Sequence, residues 1–413
     1  MPENPTIIDR KNNRLRFTFV DLFSGPGGLS LGFKLSGFFE PVGAVESNSI
    51  AASTYKANHQ VEVLQKQIGD VTASELLALA KQKGYNSIDA VIGGPPCRPF
   101  TTANKGGTRW ERIRERNQND GKEVEHPDWL SFWKIIEALD PKPRLVVVEN
   151  VVGLRNHNDV FLKFLDRLSL HYHAVSRELH ADNFGVPQNR KRLFIAALSD
   201  FEGDCEEILP VNSKENALER VTVKDAISDL PQLSNDGNSP IPKYKKGRPS
   251  YYQSLLRNQS GILYDHIVHS VHPSMAERFK YIPQGYNLKK AWVAGKIPET
   301  VMKATYFRKG KWRSFSQNTM ENMHQNIYRR LRWNDVSCTI THVRKTVLIH
   351  PLQDRLLSVR EAARLQSFPD WYRFSGSISQ QYQQIADAVP PFLAKQIAVH
   401  LGKLIAPTES FST

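Results

Sequence analysis

The first 200 residues alternate short apolar runs with segments of helical periodicity, and this alternation restricts the fold more than any other feature of the sequence. Five apolar runs are predicted strands: Phe17–Phe23, Pro41–Val45, Asp89–Ile92, Leu145–Val148 and Leu193–Leu198. The segments between them are predicted helices: Leu29–Leu35, Ile50–Asn58, Ala73–Lys83, Trp129–Leu139 and Val160–Leu168. Strands that alternate with helices of this length are typical of an α/β fold built on a doubly wound, mostly parallel sheet.

The alternation stops near Phe201. Residues 201–350 are irregular and rich in loops, and helical patterns return only at Val359–Gln366 and Phe392–Leu404. A chain of 413 residues is expected to form more than one domain. The predicted division is an α/β domain at 14–201, an inserted domain at 202–348 and a C-terminal return to the first domain at 349–405.

The basic charge of the chain is concentrated in the predicted insertion. The whole chain has 55 Lys and Arg against 42 Asp and Glu, a net charge of +13. Residues 241–350 hold 20 basic and 5 acidic residues together with 14 of the 40 aromatic residues, so the rest of the chain has a net charge of −2. A solvated lysine-rich surface would carry acidic residues too, whereas mixed basic and aromatic residues suit contacts with phosphates and bases. We therefore expect this segment to bind nucleic acid.

The sequence argues against several other classes of protein. No apolar stretch approaches the roughly 18 residues that span a bilayer, and the first residues lack the apolar region of a secretory signal. The three cysteines, Cys97, Cys205 and Cys338, are odd in number and lie more than 100 residues apart. Neither a disulfide scaffold nor a structural zinc site is expected from them. We expect a cytoplasmic monomer without a metal, in which thiol chemistry would use one cysteine alone.

The first strand leads into a turn rich in glycine, Phe23–Gly28, and then into a helix. Glycine lets the backbone turn sharply and approach a ligand at a helix N-terminus. Glu46 ends the second strand about 20 residues later, where a carboxylate can accept hydrogen bonds from both ribose hydroxyls. Asp70 could end another strand and accept an adenine amino group, while Ser30 replaces the third glycine of the dinucleotide pattern. The turn predicts a cofactor with a nucleoside; a purely structural turn is the alternative.

Cys97 follows the third strand in the run GGPPCRPFT. The two prolines stiffen the loop, and the thiol lies just past the carboxyl end of a parallel strand, where open α/β sheets bind ligands. The neighbouring Arg98 could favour the thiolate. Most lone cysteines are buried and inert; that structural role is the alternative for Cys97 and our prediction for Cys205 and Cys338.

Glu149 closes the apolar run Leu145–Val148, where a carboxylate is costly unless it is paired or functional. A strand-end residue that faces water is the alternative. Arg190 and Arg192 alternate at the start of the fifth strand and would share one face, although a solvated edge could carry such a pair too. The strand ends would bring these side chains, the glycine turn and Cys97 to one rim of the sheet.

Taken in order, these motifs resemble those of the DNA (cytosine-5) methyltransferase family, in its bacterial restriction-modification form. Six runs carry the resemblance: DLFSGPGGLSLGF, GGPPCRPFT, ENV, QNRKRLF, SVREAARLQSFPD and ADAVPPFLAKQIA. They extend from Phe17 to about Leu401 and leave a variable region between the arginine motif and Ser358. The resemblance implies a Rossmann-like sheet of the S-adenosylmethionine-dependent methyltransferase type, with an inserted DNA-recognition domain.

The same resemblance implies methyl transfer from S-adenosylmethionine to carbon-5 of a cytosine flipped out of duplex DNA. Cys97 would add to carbon-6, and Glu149, kept neutral by burial, would hold or donate a proton at the ring nitrogen. Arg192, with Arg190, would hold the base carbonyl and a phosphate, while residues 98–126 would close over the base. The implied cofactor pocket consists of Phe23, Gly25, Gly27, Glu46, Asp70, Val71, Pro95 and Asp387.

Two motifs depart from the family pattern. Ala386 and Asp387 stand where the family usually has Gly-Asn, and Arg98 stands where it usually has Gln. Alanine adopts positive φ less readily than glycine, and Asp387 would repel the carboxylate of the cofactor, so we expect weaker cofactor binding. Three other functions fit parts of the pattern: an RNA cytosine methyltransferase, an NAD-dependent oxidoreductase and a non-catalytic DNA-binding relative.

Overall fold

The computed structural model describes residues 16–96, 126–212, 220–233, 243–303, 306–308, 311–313 and 328–406. The chain divides into two compact units, which are described separately. The first unit comprises Met1–Phe184, Lys191–Ala217 and Ala388–Thr413, and the second comprises Gly185–Arg190 and Leu218–Asp387.

The strands of the described residues are named in chain order. They are β1 (Phe17–Leu22), β2 (Phe39–Val45), β3 (Val63–Leu64), β4 (Ala90–Gly93), β5 (Leu145–Asn150), β6 (His173–His180), β7 (Gln188–Asn189), β8 (Lys191–Leu198), β9 (Tyr306–Arg308), β10 (Lys311–Arg313), β11 (Arg329–Arg330), β12 (Ser337–Cys338) and β13 (Leu348–Ile349).

The α-helices are named in the same way. They are α1 (Gly28–Leu35), α2 (Ser49–His59), α3 (Ala73–Gln82), α4 (Pro127–Ala138), α5 (Asn158–Leu168), α6 (Val223–Ile227), α7 (Tyr251–Leu256), α8 (Pro273–Phe279), α9 (Leu288–Val293), α10 (Glu299–Lys303), α11 (Val343–Thr346), α12 (Val359–Leu365), α13 (Ile378–Asp387) and α14 (Pro391–Ile405).

The first unit is built on a sheet of seven strands in the order β3-β2-β1-β4-β5-β8-β6. The pairs β1–β2, β2–β3, β1–β4 and β4–β5 are parallel, whereas β8 runs antiparallel to both β5 and β6. From β1 the chain order rises to β3 on one side and to β5 on the other, and β8 is inserted between β5 and the edge strand β6. The predicted doubly wound, mostly parallel α/β sheet is confirmed.

Burial explains why the central strands read as continuous apolar runs. Leu145–Val148 of β5 is completely buried, as expected for a parallel strand covered on both faces. Helix α14, at the C-terminal end of the first unit, packs closely on α1. A Cβ at Gly32 would lie 2.3 Å from the Cβ of Ala394, so a glycine is needed at this crossing.

The edges of the sheet differ most from the prediction. The strand expected to end at Asp70 is wrong, because Ile68–Asp70 forms a 3-10 turn and the short strand β3 lies earlier. Strand β6 was not predicted, because His173–His180 mixes polar and apolar residues and lies at the edge of the sheet. An edge strand that is buried on only part of its surface lacks the apolar run that marks a central one.

The second unit relies on short elements and buried charge. Its described strands span two or three residues each. The side chain of Arg364 is fully buried and forms ion pairs with Asp370 at 2.6 Å and with Asp229 at 2.5 Å. Arg355 forms a second buried pair with Glu361 at 2.7 Å. Buried charges need partners of this kind, because removal from water is costly.

The compact units do not coincide with the predicted division in the C-terminal stretch. Residues 349–387 belong to the second unit, and the chain returns to the first unit at Ala388. Helix α12 explains why: Arg364 donates to the carbonyl oxygen of Ala226 and pairs with Asp229. This division does not bear on the predicted function of each domain, which stays a prediction.

No helix of the described residues is both long and apolar enough to cross a membrane.

Candidate active site

The glycine turn (Phe23–Gly28) connects β1 to α1 through left-handed backbone conformations. Phe23, Gly25 and Gly27 have φ angles of 62°, 53° and 92°. At Gly27 a Cβ would lie 2.4 Å from Nε2 of His59, so both backbone angle and space require glycine. At Gly25 a Cβ would meet no protein atom within 4 Å. The turn is therefore packed against protein at Gly27 and faces open space at Gly25.

Glu46 lies directly beside this turn. Its Oε2 accepts a hydrogen bond from the backbone N–H of Gly25 at 2.8 Å, and its Oε1 accepts one from Asn48 at 2.7 Å. The carboxylate follows the last residue of β2 and is half-buried. The structure thus brings together two of the residues predicted to bind a cofactor.

A buried polar chain lies under the same turn. The hydroxyl of Ser30 donates to Oδ2 of Asp21 at 2.5 Å and lies 2.7 Å from the hydroxyl of Tyr55. Burial raises the pKa of Asp21 to about 8; the hydrogen bond from Ser30 opposes this rise and the charge of Glu46 adds to it. Asp21 is therefore largely a neutral acid at pH 7.

The remaining cofactor candidates of the first unit lie on neighbouring segments. The ring of Phe23 stacks on Phe132, with centroids 6.5 Å apart and planes within 6°. Asp70 is exposed at the end of the 3-10 turn, which contacts α4, and Val71 beside it is buried. The carbonyl oxygen of Pro95 accepts a hydrogen bond from Nδ2 of Asn150 at 2.9 Å.

Asn150 therefore connects the loop after β4 to the end of β5. It is buried and forms the last residue of β5. Cys97 lies outside the described residues, as does the predicted closing loop, 98–126, except for its last residue. The described residues after β4 end at Pro96, directly after the Pro95 carbonyl that Asn150 binds.

Glu149 and Arg192 form an ion pair at the adjoining strand ends. Nε of Arg192 lies 3.0 Å from Oε1 of Glu149, and the two side chains are 18% and 12% exposed. They meet because β8 is antiparallel to β5, so the start of β8 lies beside the end of β5. A Cβ at Gly94 would lie 3.4 Å from Oε2 of Glu149, which places the loop after β4 next to the same carboxylate.

The pairing bears on the protonation that the sequence suggested for Glu149. Burial alone would favour the neutral acid, whereas a guanidinium at 3.0 Å stabilises the carboxylate. The sequence could not show this contact, because it depends on the antiparallel orientation of β8.

Arg190 and Asp387 belong to the second unit. Arg190 is buried, and its Nη2 donates to the carbonyl oxygen of Ala386 at 3.1 Å. Gln188, two residues earlier, accepts from the backbone N–H of Ile340 and donates to the carbonyl oxygen of Leu365. Asp387 is exposed at the end of α13, where both carboxylate oxygens accept from Gln383 at 2.9 Å. Arg190 and Arg192, predicted to share a face, thus make different contacts.

Sequence reasoning missed three polar residues of this region: Asp21, Tyr55 and Asn150. Asp21 interrupts the mostly apolar strand β1, and Asn150 ends β5 after its apolar run. Polar residues at such places are a usable signal, because burial of an unpaired polar group is costly. Tyr55 carried no such signal, since an aromatic residue on a helix most often belongs to the core.

Comparisons with known proteins agree on one family. The family model described as C-5 cytosine-specific DNA methylase matches residues 17–403. The Type II methyltransferase M.XorII of Xanthomonas oryzae pv. oryzae is 30% identical over 397 residues, which cover 94% of this chain and 84% of that protein. The Type II methyltransferase M.DdeI of Desulfomicrobium norvegicum is 29% identical over 398 residues, covering 93% and 88% of the two chains.

A solved structure supports the fold. A protein encoded within an E. coli prophage, described as a DNA modification methyltransferase, superimposes with a TM-score of 0.69 and covers 94% of this chain and 99% of its own. Its sequence identity is 24%, so the likeness concerns the fold alone.

Proposed function

The chain belongs to the C-5 cytosine-specific DNA methylase family, and from this premise we propose that it methylates carbon-5 of a cytosine within a specific sequence of duplex DNA. S-Adenosylmethionine is the proposed methyl donor, Cys97 the proposed nucleophile and a restriction-modification system the proposed context. The relatives M.DdeI and M.XorII, both named Type II methyltransferases, support this context. The observation that carries the catalytic proposal is the Glu149–Arg192 pair at 3.0 Å beside the loop that leads to Cys97.

The glycine turn and Glu46 suit the nucleoside of the methyl donor. Gly25 faces open space while its N–H orients the Glu46 carboxylate at 2.8 Å, so the carboxylate is held where it can accept hydrogen bonds from ribose hydroxyls. When bound, S-adenosylmethionine supplies a methyl group on a positively charged sulfonium. The proposed pocket comprises Phe23, Gly25, Gly27, Glu46, Asp70, Val71, Pro95 and Asp387.

The proposed chemistry begins with Cys97. Its thiolate would form a bond to carbon-6 of the cytosine, and the electron pair of the 5,6 double bond would move to carbon-5. Carbon-5 would then bond to the methyl group while the methyl–sulfur bond breaks, and the electron pair of that bond would stay on the sulfur of the departing S-adenosylhomocysteine. Removal of the carbon-5 proton restores the double bond and expels the Cys97 thiolate. The covalent route is needed because carbon-5 of cytosine is a weak nucleophile by itself.

Glu149 and Arg192 control protons and charge on the ring. Glu149 holds a proton at the ring nitrogen while carbon-6 is attacked, and Arg192 binds the carbonyl oxygen of the base. Because the guanidinium of Arg192 favours the carboxylate form of Glu149, contact of Arg192 with the base would let Glu149 take up a proton from water and donate it to the ring nitrogen. The pair therefore couples recognition of the base to the protonation state that the reaction needs.

The second unit is the proposed DNA-binding part. Most of its sequence falls within residues 241–350, the segment with a net charge of +15, and neutralisation of phosphates by such a segment would dominate the affinity. The target cytosine must leave the stack before Cys97 can reach carbon-6, so we propose that the base is flipped out. We propose that the protein acts as a monomer, since one active site and one recognition segment suffice for one strand.

The covalent step is tested with duplex DNA in which 5-fluorocytosine replaces cytosine. Fluorine cannot leave carbon-5 as a proton does, so the intact protein with S-adenosylmethionine should form a stable adduct that survives denaturing electrophoresis. Cys97→Ala should form none, whereas Cys338→Ala should form it as the wild type does. Absence of an adduct on DNA that the protein does methylate would contradict the role of Cys97. Transfer RNA in place of DNA tests the alternative substrate.

A further inference from the structure

The underside of the glycine turn packs against two aromatic side chains of α2. Gly27 rests on the rings of Tyr55 and His59, which stack with centroids 4.3 Å apart. A Cβ at Gly27 would lie 2.8 Å from the Tyr55 ring, and the carbonyl oxygen of Gly27 lies 3.2 Å from Nε2 of His59. The two rings on α2 thus form the surface against which the turn is shaped.

Ser30 connects the three elements that surround the turn. Its hydroxyl contacts Asp21 on β1 and Tyr55 on α2, while Ser30 itself lies on α1. All three side chains are at most 1% exposed. In the dinucleotide pattern this position is a glycine that only permits close packing; here a hydroxyl joins the strand and both helices.

Asp21 is retained although its burial opposes stability. A carboxyl group in an apolar site is costly, and the pKa of about 8 reflects that burial, with Glu46 adding to the rise and Ser30 opposing it. His59, whose ring stacks on Tyr55, has its pKa lowered to about 3 by burial, with Lys34 and Lys83 acting in the same direction. His59 is therefore neutral at pH 7 and supplies no positive charge to Asp21. Buried acids of this kind are frequent at functional sites.

We propose that Asp21, Ser30 and Tyr55 are positioning residues for the methyl donor: they fix the glycine turn from beneath and thereby set cofactor affinity without touching the cofactor. The inference rests on the proposed cofactor site. Ser30, which replaces the third glycine of the dinucleotide pattern, would thus contribute to cofactor binding. If these residues only supported the fold, their substitution would change folding, cofactor affinity and turnover together.

The test compares Ser30→Ala and Tyr55→Phe with two matched controls. Ser53→Ala removes an exposed hydroxyl from α2, and Tyr172→Phe removes a buried hydroxyl of the first unit that has no hydrogen-bond partner among the described residues. We measure the Kd for S-adenosylmethionine by calorimetry, kcat at saturating cofactor on duplex DNA, and the Kd for DNA by fluorescence anisotropy.

Ser30→Ala should weaken cofactor binding about tenfold, because it leaves two buried polar groups without their partner. Tyr55→Phe should weaken it about threefold, because it keeps the ring under Gly27. For both variants kcat and the Kd for DNA should stay within about twofold of the wild type, and the controls should match the wild type throughout.

Two outcomes would overturn the inference. If Ser30→Ala and Tyr55→Phe bind the cofactor as tightly as their controls, the side chains of Asp21, Ser30 and Tyr55 have no positioning role. If cofactor Kd, kcat and DNA Kd change together, the role is structural only. Should Ser30→Ala fail to fold, Tyr55→Phe decides by the same criteria. A wild type that binds no S-adenosylmethionine would instead contradict the proposed function, on which the inference rests.

Discussion

The two units bury different side chains, and the difference indicates how each unit is held together. The largest fully buried side chains of the first unit are aromatic, among them Phe17, Phe33 and Tyr55, whereas those of the second unit include five arginines. In the first unit a large sheet supplies the apolar core, so its charged side chains are free to collect at strand ends. In the second unit, where the described strands are short, buried ion pairs connect the segments.

Arg330 illustrates the second arrangement. Its guanidinium donates to the carbonyl oxygens of Phe279, Ile282, His350 and Gln353 and to the carboxylate of Asp354. A planar fork with five donors can serve that many acceptors at once. Buried arginines of the second unit thus hold its segments together, and its exposed basic residues are the ones that we propose for DNA binding.

The largest effect should come from the strand ends of the first unit. We expect Glu149→Gln to lower kcat by about 10²- to 10⁴-fold, the usual contribution of proton transfer by a positioned side chain, with little change in thermal stability. Single-turnover methylation of duplex DNA measures the rate. A matched change at an exposed carboxylate of the same unit, Glu137→Gln, should leave the rate unaltered. An equal loss of rate in Glu137→Gln would mean that Glu149 has no special role in the reaction.

The next largest effect should come from the second unit, and it concerns stability and not the methylation reaction. Arg364→Ala leaves Asp229 and Asp370 buried without their main partner, so the free energy of unfolding should fall by about 3–5 kcal/mol. Urea denaturation followed by circular dichroism measures this. Arg344→Ala, an exposed arginine of the same unit, should change it by less than about 0.5 kcal/mol. If both variants are equally stable, buried ion pairs do not hold this unit together.

The exposed charge of the second unit should affect DNA binding alone. Reversal of Lys243, Lys246 and Arg248 to glutamate should weaken DNA binding by about one to two orders of magnitude and reduce its salt dependence, with the Kd for S-adenosylmethionine unchanged. Three exposed lysines of the first unit, Lys81, Lys134 and Lys403, provide the matched reversal. Equal losses from the two triple variants would mean that DNA binding is not divided between the units as proposed.

Measured per pH unit, the smallest effect concerns the buried acid of the first unit. The pKa of Asp21 is about 8 in the folded protein and near 3.8 when exposed, so the folded state binds the proton more tightly. Stability should therefore fall as pH rises from about 4 to 8, by up to about 1.4 kcal/mol per pH unit. Asp21→Asn should flatten this decline and be more stable than the wild type at pH 8. Parallel stability curves for the two proteins between pH 6 and 8 would contradict a protonated Asp21.

The sequence predicted the central sheet and the order of its motifs because buried parallel strands leave continuous apolar runs. It failed at β6 and at Asp70, where exposure at a sheet edge or a 3-10 turn breaks that pattern. It identified Glu149 and Arg192 individually, yet their ion pair depends on the reversed direction of β8, which no local pattern encodes. The hydrogen bond between Ser30 and Tyr55 joins residues 25 positions apart, so it becomes visible only in the folded structure.

The central claim is that the protein methylates carbon-5 of cytosine through Cys97. Bisulfite sequencing of DNA from cells that express the wild type or Cys97→Ala tests it most directly, because it reports both the modified base and its sequence context. With the wild type, cytosines at one recurring sequence should be protected from conversion, and with the variant none should be. Protection by both proteins, or by neither when both are folded and bind DNA, would contradict it.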